Sequence, residues 1–125
     1  MALLLVVDDE PDLLDLLTHI LKADGHTVLA AADGPAALLI AAGQRPDLVI
    51  TDFHMPQMTG MQLAEHLRGA SATAATPIVV LSAAADPDLD RDGLITRWLS
   101  KPFSPRQLRS EISAVLAQTA ALATA

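Results

Sequence analysis

Leu3-Leu4-Leu5-Val6-Val7-Asp8-Asp9-Glu10-Pro11-Asp12-Leu13-Leu14-Asp15-Leu16-Leu17-Thr18-His19-Ile20-Leu21 changes its hydrophobic period part-way along. The first five residues form an unbroken apolar run, as a strand buried on both faces requires. Leu13, Leu14, Leu17, Ile20 and Leu21 instead recur at the spacing of one helix face. Pro11 suits the first helical turn, where its missing N–H costs nothing, and Gly25 suits a chain leaving the helix end. The apolar run is too short to cross a membrane and passes directly into Asp8-Asp9-Glu10, unlike a signal peptide. The stretch therefore reads as a βα unit.

The same alternation continues to the end of the chain. Thr27 to Ala31 reads as a second strand, and Asp33 caps a helix through Leu38, Leu39 and Ala42 that stops near Gly43. Asp47 to Thr51 is a third strand, which delivers Asp52 at its end. Thr59 and Gln62 form a capping-box pattern for a helix through Leu63, His66 and Leu67, followed by a small-residue loop over 70–75. Pro77 introduces a fourth strand, Ile78 to Leu81, and a fifth falls near Ile95 to Ser100. The spacing leaves room for a helix of only about two turns between these two. Ser104, Pro105 and Gln107 open a last helix, with Leu108, Ile112, Val115 and Leu116 at helical spacing. The expected domain is 1–119, with 120–125 a fraying tail. Five strands alternating with helices predict an α/β fold, a doubly wound parallel sheet with right-handed crossovers and helices on both faces.

A chain of 125 residues with 51% hydrophobic content is one domain with ample core. Its formal charge of −7 offers no electrostatic footprint for DNA or RNA. With no cysteine, disulfides and thiolate metal sites are excluded, which fits a reducing cytoplasm.

In such sheets the reactive crevice lies beyond the carboxyl ends of the strands, where the strand order reverses. The residues found there are Asp8 and Asp9 after strand one, Asp52 after strand three, Ser82 after strand four and Lys101 after strand five. Three acids in one crevice raise one another's pKa and call for a cation. Magnesium is the natural guest, being an oxygen-seeking ion that keeps waters and takes up phosphate oxygens, and manganese or calcium could substitute. A carboxylate can attack phosphorus to form an acyl phosphate while metal and lysine offset the charge on the transferring oxygens. Asp52 is the nucleophile of this reading. Lys101 meets one phosphoryl oxygen as a point charge, and the Ser82 hydroxyl donates to another.

Val7-Asp8-Asp9-Glu10-Pro11, Asp52-Phe53-His54-Met55-Pro56-Gln57-Met58-Thr59-Gly60, Ser82-Ala83 and Lys101-Pro102-Phe103 together resemble the receiver-domain motif set of bacterial response regulators, over essentially the whole chain. The resemblance implies a flavodoxin-like fold like that of the chemotaxis regulators, with strand order 2-1-3-4-5. It implies that Asp8, Asp9 and Asp52 hold the metal with the backbone carbonyl of His54, and that the Lys101–Pro102 peptide is cis. It also implies a switch in which Ser82 is drawn to the phosphate while an aromatic on strand five rotates inward. Trp98 takes that place, where the family usually carries Tyr or Phe. The phosphoryl donor would be a sensor histidine kinase or a histidine phosphotransfer protein. The output would be altered binding to a downstream protein, or a phosphorylation-dependent homodimer, with no catalysis beyond the domain's own phosphorylation and dephosphorylation.

Other readings stand beside these. The fold could serve as an interaction module that is never usefully phosphorylated. A magnesium phosphohydrolase would need a second aspartate where His54 stands, and 125 residues leave little room for a substrate cap. Trp98 could be a static amphipathic aromatic at the sheet edge. Asp88, Asp90, Asp92 and Gly93 match half of a calcium loop, but Leu99 stands where the bidentate glutamate belongs. His19, His26, His54 and His66 share no metal-ligand spacing. Met55, Met58 and Met61 read as packing around the loop after Asp52.

Overall fold

Alternate residues of a strand face opposite sides of a sheet, and here both sides are apolar. Leu4 and Val6, Leu48 and Ile50, and Val79 and Leu81 point to one face, where they pack with Leu17, Ile20 and Leu21 and with Leu108, Ile112 and Val115. Leu5 and Val7, Val49, and Ile78 and Val80 point to the other, against Ala37, Ala41, Leu63, Ala64 and Leu67. The unbroken apolar runs of the sequence follow from this two-sided burial. The computed structural model describes residues 2–83, 90 and 93–124.

The elements are β1 (Leu3–Val7), α1 (Pro11–Ala23), β2 (Thr27–Ala31), α2 (Gly34–Gln44), β3 (Leu48–Asp52), α3 (Gly60–Gly69), β4 (Ile78–Ser82), β5 (Arg97–Ser100) and α4 (Pro105–Thr124). All strand pairs are parallel, in the order β2-β1-β3-β4-β5. The α/β fold is therefore the doubly wound sheet expected. α1 and α4 cover one face, and α2 and α3 the other. The two-turn helix expected between β4 and β5 lies outside the described residues. Among the described residues no helix is long and apolar enough to cross a membrane.

Local chemistry sets the element ends. Asp33 accepts the Ala36 N–H, and Thr59 with Gln62 closes a reciprocal capping box. Ser104 and Gln107 exchange the same pair of bonds at the start of α4. Gly25 has φ +92, as a residue leaving α1 needs. α2 ends at Gln44, near Gly43 as expected, with Arg45 following in the left-handed region, φ 48. One boundary differs from expectation. β5 begins at Arg97: Leu94 and Ile95 donate their N–H groups to the two oxygens of Asp90, and the Ile78 N–H is taken by the Thr96 hydroxyl. That use of Asp90 also accounts for one acid of the half calcium pattern. Asp88 and Asp92 lie outside the described residues.

The loop after β3 is held by close backbone approach. A Cβ on Gly60 would lie 2.7 Å from the Asp52 carbonyl oxygen and 3.1 Å from the Phe53 Cα, so only glycine lets α3 start there. The Gly60 N–H donates to the Phe53 carbonyl at 2.8 Å. Gly43, by contrast, has nothing within 4 Å of where its Cβ would stand. We expect Gly60→Ala to lower unfolding stability by about 1–3 kcal/mol. Gly43→Ala should raise it by about 0.5–1 kcal/mol. Denaturant titration of dilute protein reads both signs, and equal effects would contradict the packing described.

Candidate functional site

Each strand end delivers its polar residue by continuing the ladder one step. Val7 lies beside Thr51, so the next residues, Asp8 and Asp52, emerge as neighbours. Asp52 lies beside Leu81, and Ser82 beside Ser100, which sets Ser82 and Lys101 next along the row. Backbone bonds lock these positions: Asp8 N–H to the Ala31 carbonyl, Phe53 N–H to Leu81, and Lys101 N–H to Ser82.

One carboxylate oxygen from each of Asp8, Asp9 and Asp52 lies within 4.8 Å of the others. Asp9 is exposed, while Asp8 is 1% exposed. Lys101 Nζ donates to Asp52 Oδ1 at 2.9 Å, and the Phe53 N–H donates to the same oxygen at 3.0 Å. The Asp8 Oδ1 accepts the Glu10 N–H at 2.9 Å, whereas its Oδ2 is buried without a hydrogen-bond partner among the described residues. Burial pushes the Asp8 carboxyl above the usual range, the Glu10 amide pulls it back, and the charge of Asp52 raises it further. A buried, unpartnered carboxylate oxygen in a cluster of three carboxylates is a costly arrangement without a cation. The donors are all oxygen, which suits a hard divalent ion, and the residues fit such a metal site.

Ser82 is buried, at 4% exposure, at the carboxyl end of β4. The Lys101–Pro102 peptide is cis. His54 is exposed, and its ring meets Phe53 edge-on with centroids 4.8 Å apart. Trp98 is half-buried on the α2/α3 side of the sheet, its ring 5.9 Å from Phe53 and tilted by 39°. The structure thus brings Asp8, Asp9, Asp52 and Lys101 into one crevice and sets Trp98 one ring away from it, against Phe53.

Several supporting residues had no local signal in the sequence. Phe53 bonds Asp52 through its amide and touches both His54 and Trp98 through its ring. Met58 seats its sulfur where a Cβ on Gly34 would fall, at 2.5 Å, which keys α2 to the loop after Asp52. Arg68 donates from Nε and an amino group to the Leu94 carbonyl, and from its other amino group to the carbonyls of Ala74 and Thr76. It thereby ties the approach to β4 to the approach to β5. His26, which the sequence left without a role, accepts the Ala2 N–H at Nδ1. Met55 packs in the core, and Met58 and Met61 lie against it, as expected of packing methionines.

Known proteins share this arrangement. PilH of Pseudomonas aeruginosa is 34% identical over 122 residues, covering 94% of this chain and 99% of that protein. The alkaline phosphatase synthesis transcriptional regulatory protein PhoP of Bacillus subtilis is 35% identical over 117 residues, 90% of this chain and 48% of its own length. The chain spans about half the length of the first curated regulators it matches. The solved structure of the chemotaxis protein CheY4 of Vibrio cholerae is 36% identical, with a TM-score of 0.87 over 92% of this chain and 98% of that one. A family model for the response regulator receiver domain matches residues 4–113. With its acidic crevice at the ends of β1 and β3, this chain belongs to the response regulator receiver family, the phosphoacceptor domains of two-component signalling.

Proposed function

We propose that Asp52 is the phosphoacceptor and that the observation carrying this is the one-sided use of its carboxylate. Among the described residues both of its hydrogen bonds fall on Oδ1, from Lys101 and from the Phe53 amide, which leaves Oδ2 to attack. The donor is a phosphohistidine on a sensor histidine kinase or a histidine phosphotransfer protein. Oδ2 forms a bond to phosphorus as the phosphorus–nitrogen bond breaks, and the imidazole keeps the electron pair and takes up a proton. Hydrolysis reverses the state: water attacks phosphorus, the acyl–phosphate bond breaks, and the Asp52 carboxylate is restored. The domain catalyses only its own phosphorylation and dephosphorylation.

Lys101 offsets charge on one phosphoryl oxygen, and Ser82 donates its hydroxyl to another. Asp8, Asp9 and Asp52, with the backbone carbonyl of His54, would hold Mg2+, for which Mn2+ or Ca2+ substitutes. When bound, the ion supplies positive charge against the phosphoryl oxygens. The orphaned Asp8 Oδ2 supports this assignment. Ser82 and Trp98 form the switch, the Ser82 hydroxyl moving toward the phosphate and the indole following. The output is altered affinity for a downstream protein, or a phosphorylation-dependent homodimer. A cytoplasmic location fits a chain without cysteine. The receiver domain is residues 1–119, with Leu116 packed on the core, and α4 runs on to Thr124.

Intact mass after incubation with a small phosphodonor and Mg2+ tests the chemistry. We expect a gain of one phosphoryl group that is lost with EDTA and absent in Asp52→Asn. No gain in folded, metal-loaded protein would instead favour an interaction module that works unphosphorylated.

Asp8→Asn tests the metal site. The folded-state pKa of Asp8 is raised, so its ionised form opposes folding, and the cost grows as pH rises through that raised value. In EDTA at pH 7, Asp8→Asn should therefore be more stable than the parent, by about 1–3 kcal/mol. The gain should vanish below the ordinary carboxylate value of 3.8, where both side chains are neutral. Added Mg2+ should raise the Tm of the parent and not that of the variant. A variant less stable than the parent in EDTA at pH 7 would contradict the assignment.

A further inference from the structure

α2 is unlike the other described helices. α1 carries Asp12, Asp15 and Lys22, α3 carries Glu65 and Arg68, and α4 carries Arg106, Arg109 and Glu111, whereas Gly34–Gln44 has no charged residue. Leu39, at its midpoint, is 79% exposed, the highest value among the described large hydrophobics. Ala42 and Gly43 beside it are exposed as well. The apolar surface continues into a shallow groove walled by Leu38, Ala42, Leu67 and Ala70. A helix apolar on all sides is one that is covered on all sides. Gly43 adds a second sign. It is helical and open, so neither its backbone angles nor packing within this chain requires glycine, although glycine weakens a helix. Close approach of a second backbone would require it.

We infer that two copies of this chain pair through α2, antiparallel about Leu39. The charges at the two ends choose both the occupant and the direction. Asp33 caps the N-terminal end of α2 and Arg45, exposed, caps the C-terminal end. A two-fold axis through Leu39 sets Leu39 on its own counterpart, Ala36 on Ala42, and Asp33 of each copy on Arg45 of the other. A parallel arrangement would set like on like. Such an isologous contact is self-complementary and closes at two subunits. Copies of a chain with a charge of −7 repel, and the uncharged helix is where they can meet. The pairing needs no phosphoryl group. A helix of 11 residues is about 16 Å long, so the contact falls well short of the roughly 800 Å² per partner of a standard interface, and the dimer is weak.

Sedimentation equilibrium of the unphosphorylated chain from about 10 μM to about 1 mM covers the range in which such an interface associates. The parent should move from monomer toward dimer across that range. Leu39→Glu should weaken association at least tenfold and Arg45→Glu several-fold, with far-ultraviolet circular dichroism unchanged. The chain has no cysteine, so Leu39→Cys gives a single reporter on the axis. It should oxidise to a disulfide dimer much faster than Gln118→Cys, an exposed control on α4. A parent monomeric throughout would overturn the pairing and leave the face to a different protein. Association that survives Leu39→Glu and Arg45→Glu, or equal oxidation at positions 39 and 118, would overturn it too.

Discussion

Three carboxylates share one crevice, and parallel register is what forces them together. Val7 pairs with Thr51, so the residues that follow, Asp8 and Asp52, leave adjacent strands at the same height. The register cannot relax to separate them, because a slip of one residue would turn every side chain of the strand to the other face. With both faces buried, that slip would disrupt two cores at once. The fold therefore fixes like charges within 4.8 Å of one another and answers them locally. Lys101 and the Phe53 amide meet Asp52, and the Glu10 amide meets Asp8. One oxygen of Asp8 is left unanswered, which makes the crevice a place where a cation gains more than it would at an ordinary acidic surface.

The loop that carries the rest of the site is anchored by shape more than by charge. Gly60 brings the start of α3 against the backbone of Asp52 and Phe53, and Met58 lies over Gly34 at the start of α2. A flexible thioether fills such a gap without demanding a fixed rotamer. On the far side Arg68 gathers carbonyls from two loops, and burial lowers its pKa although the group remains a cation at any ordinary pH. These contacts hold the ends of β3, β4 and β5 in one frame.

The sequence makes the frame and the chemistry legible because both are written locally. Apolar runs of about five residues, capping boxes at Thr59 and Ser104, and polar residues one step past each strand all follow from period and spacing. What it conceals depends on contacts between distant segments. The shortened start of β5 goes with Asp90 capturing two amides and the Thr96 hydroxyl capturing the Ile78 N–H, and nothing at Ile95 signals that. The sequence marks no core face on α2, where Ala37 and Ala41 face the core and Leu39 faces outward. With apolar residues on every side, α2 has no periodic signal to orient it. The roles of Phe53 and Arg68 rest on partners up to 45 residues away in the chain (Trp98 minus Phe53), which no local pattern encodes.

The proposed switch can be weighed from the same contacts. A conformational change follows from a ligand only to the extent that the two states bind it differently. Phosphorylation places new charge beside Lys101 and within the row that ends in Ser82. A hydrogen bond from the Ser82 hydroxyl to that anion is worth about 1.5–3 kcal/mol. Against it stands the packing of Trp98, half-buried and seated on Phe53. Burying a large apolar side chain fully is worth about 1.5–3 kcal/mol, and an aromatic pair adds about 0.5–1.5 kcal/mol. Because only half of the indole is buried, displacing it forfeits part of that sum. The two terms are therefore comparable, and the Ser82 bond alone would leave the ring near balance between its positions. A decisive shift needs Trp98 to regain burial after it moves, and an indole needs more space for that than the Tyr or Phe usual at this place. In the proposed switch, the space open to the ring, and not the phosphate alone, then sets how far the signal travels.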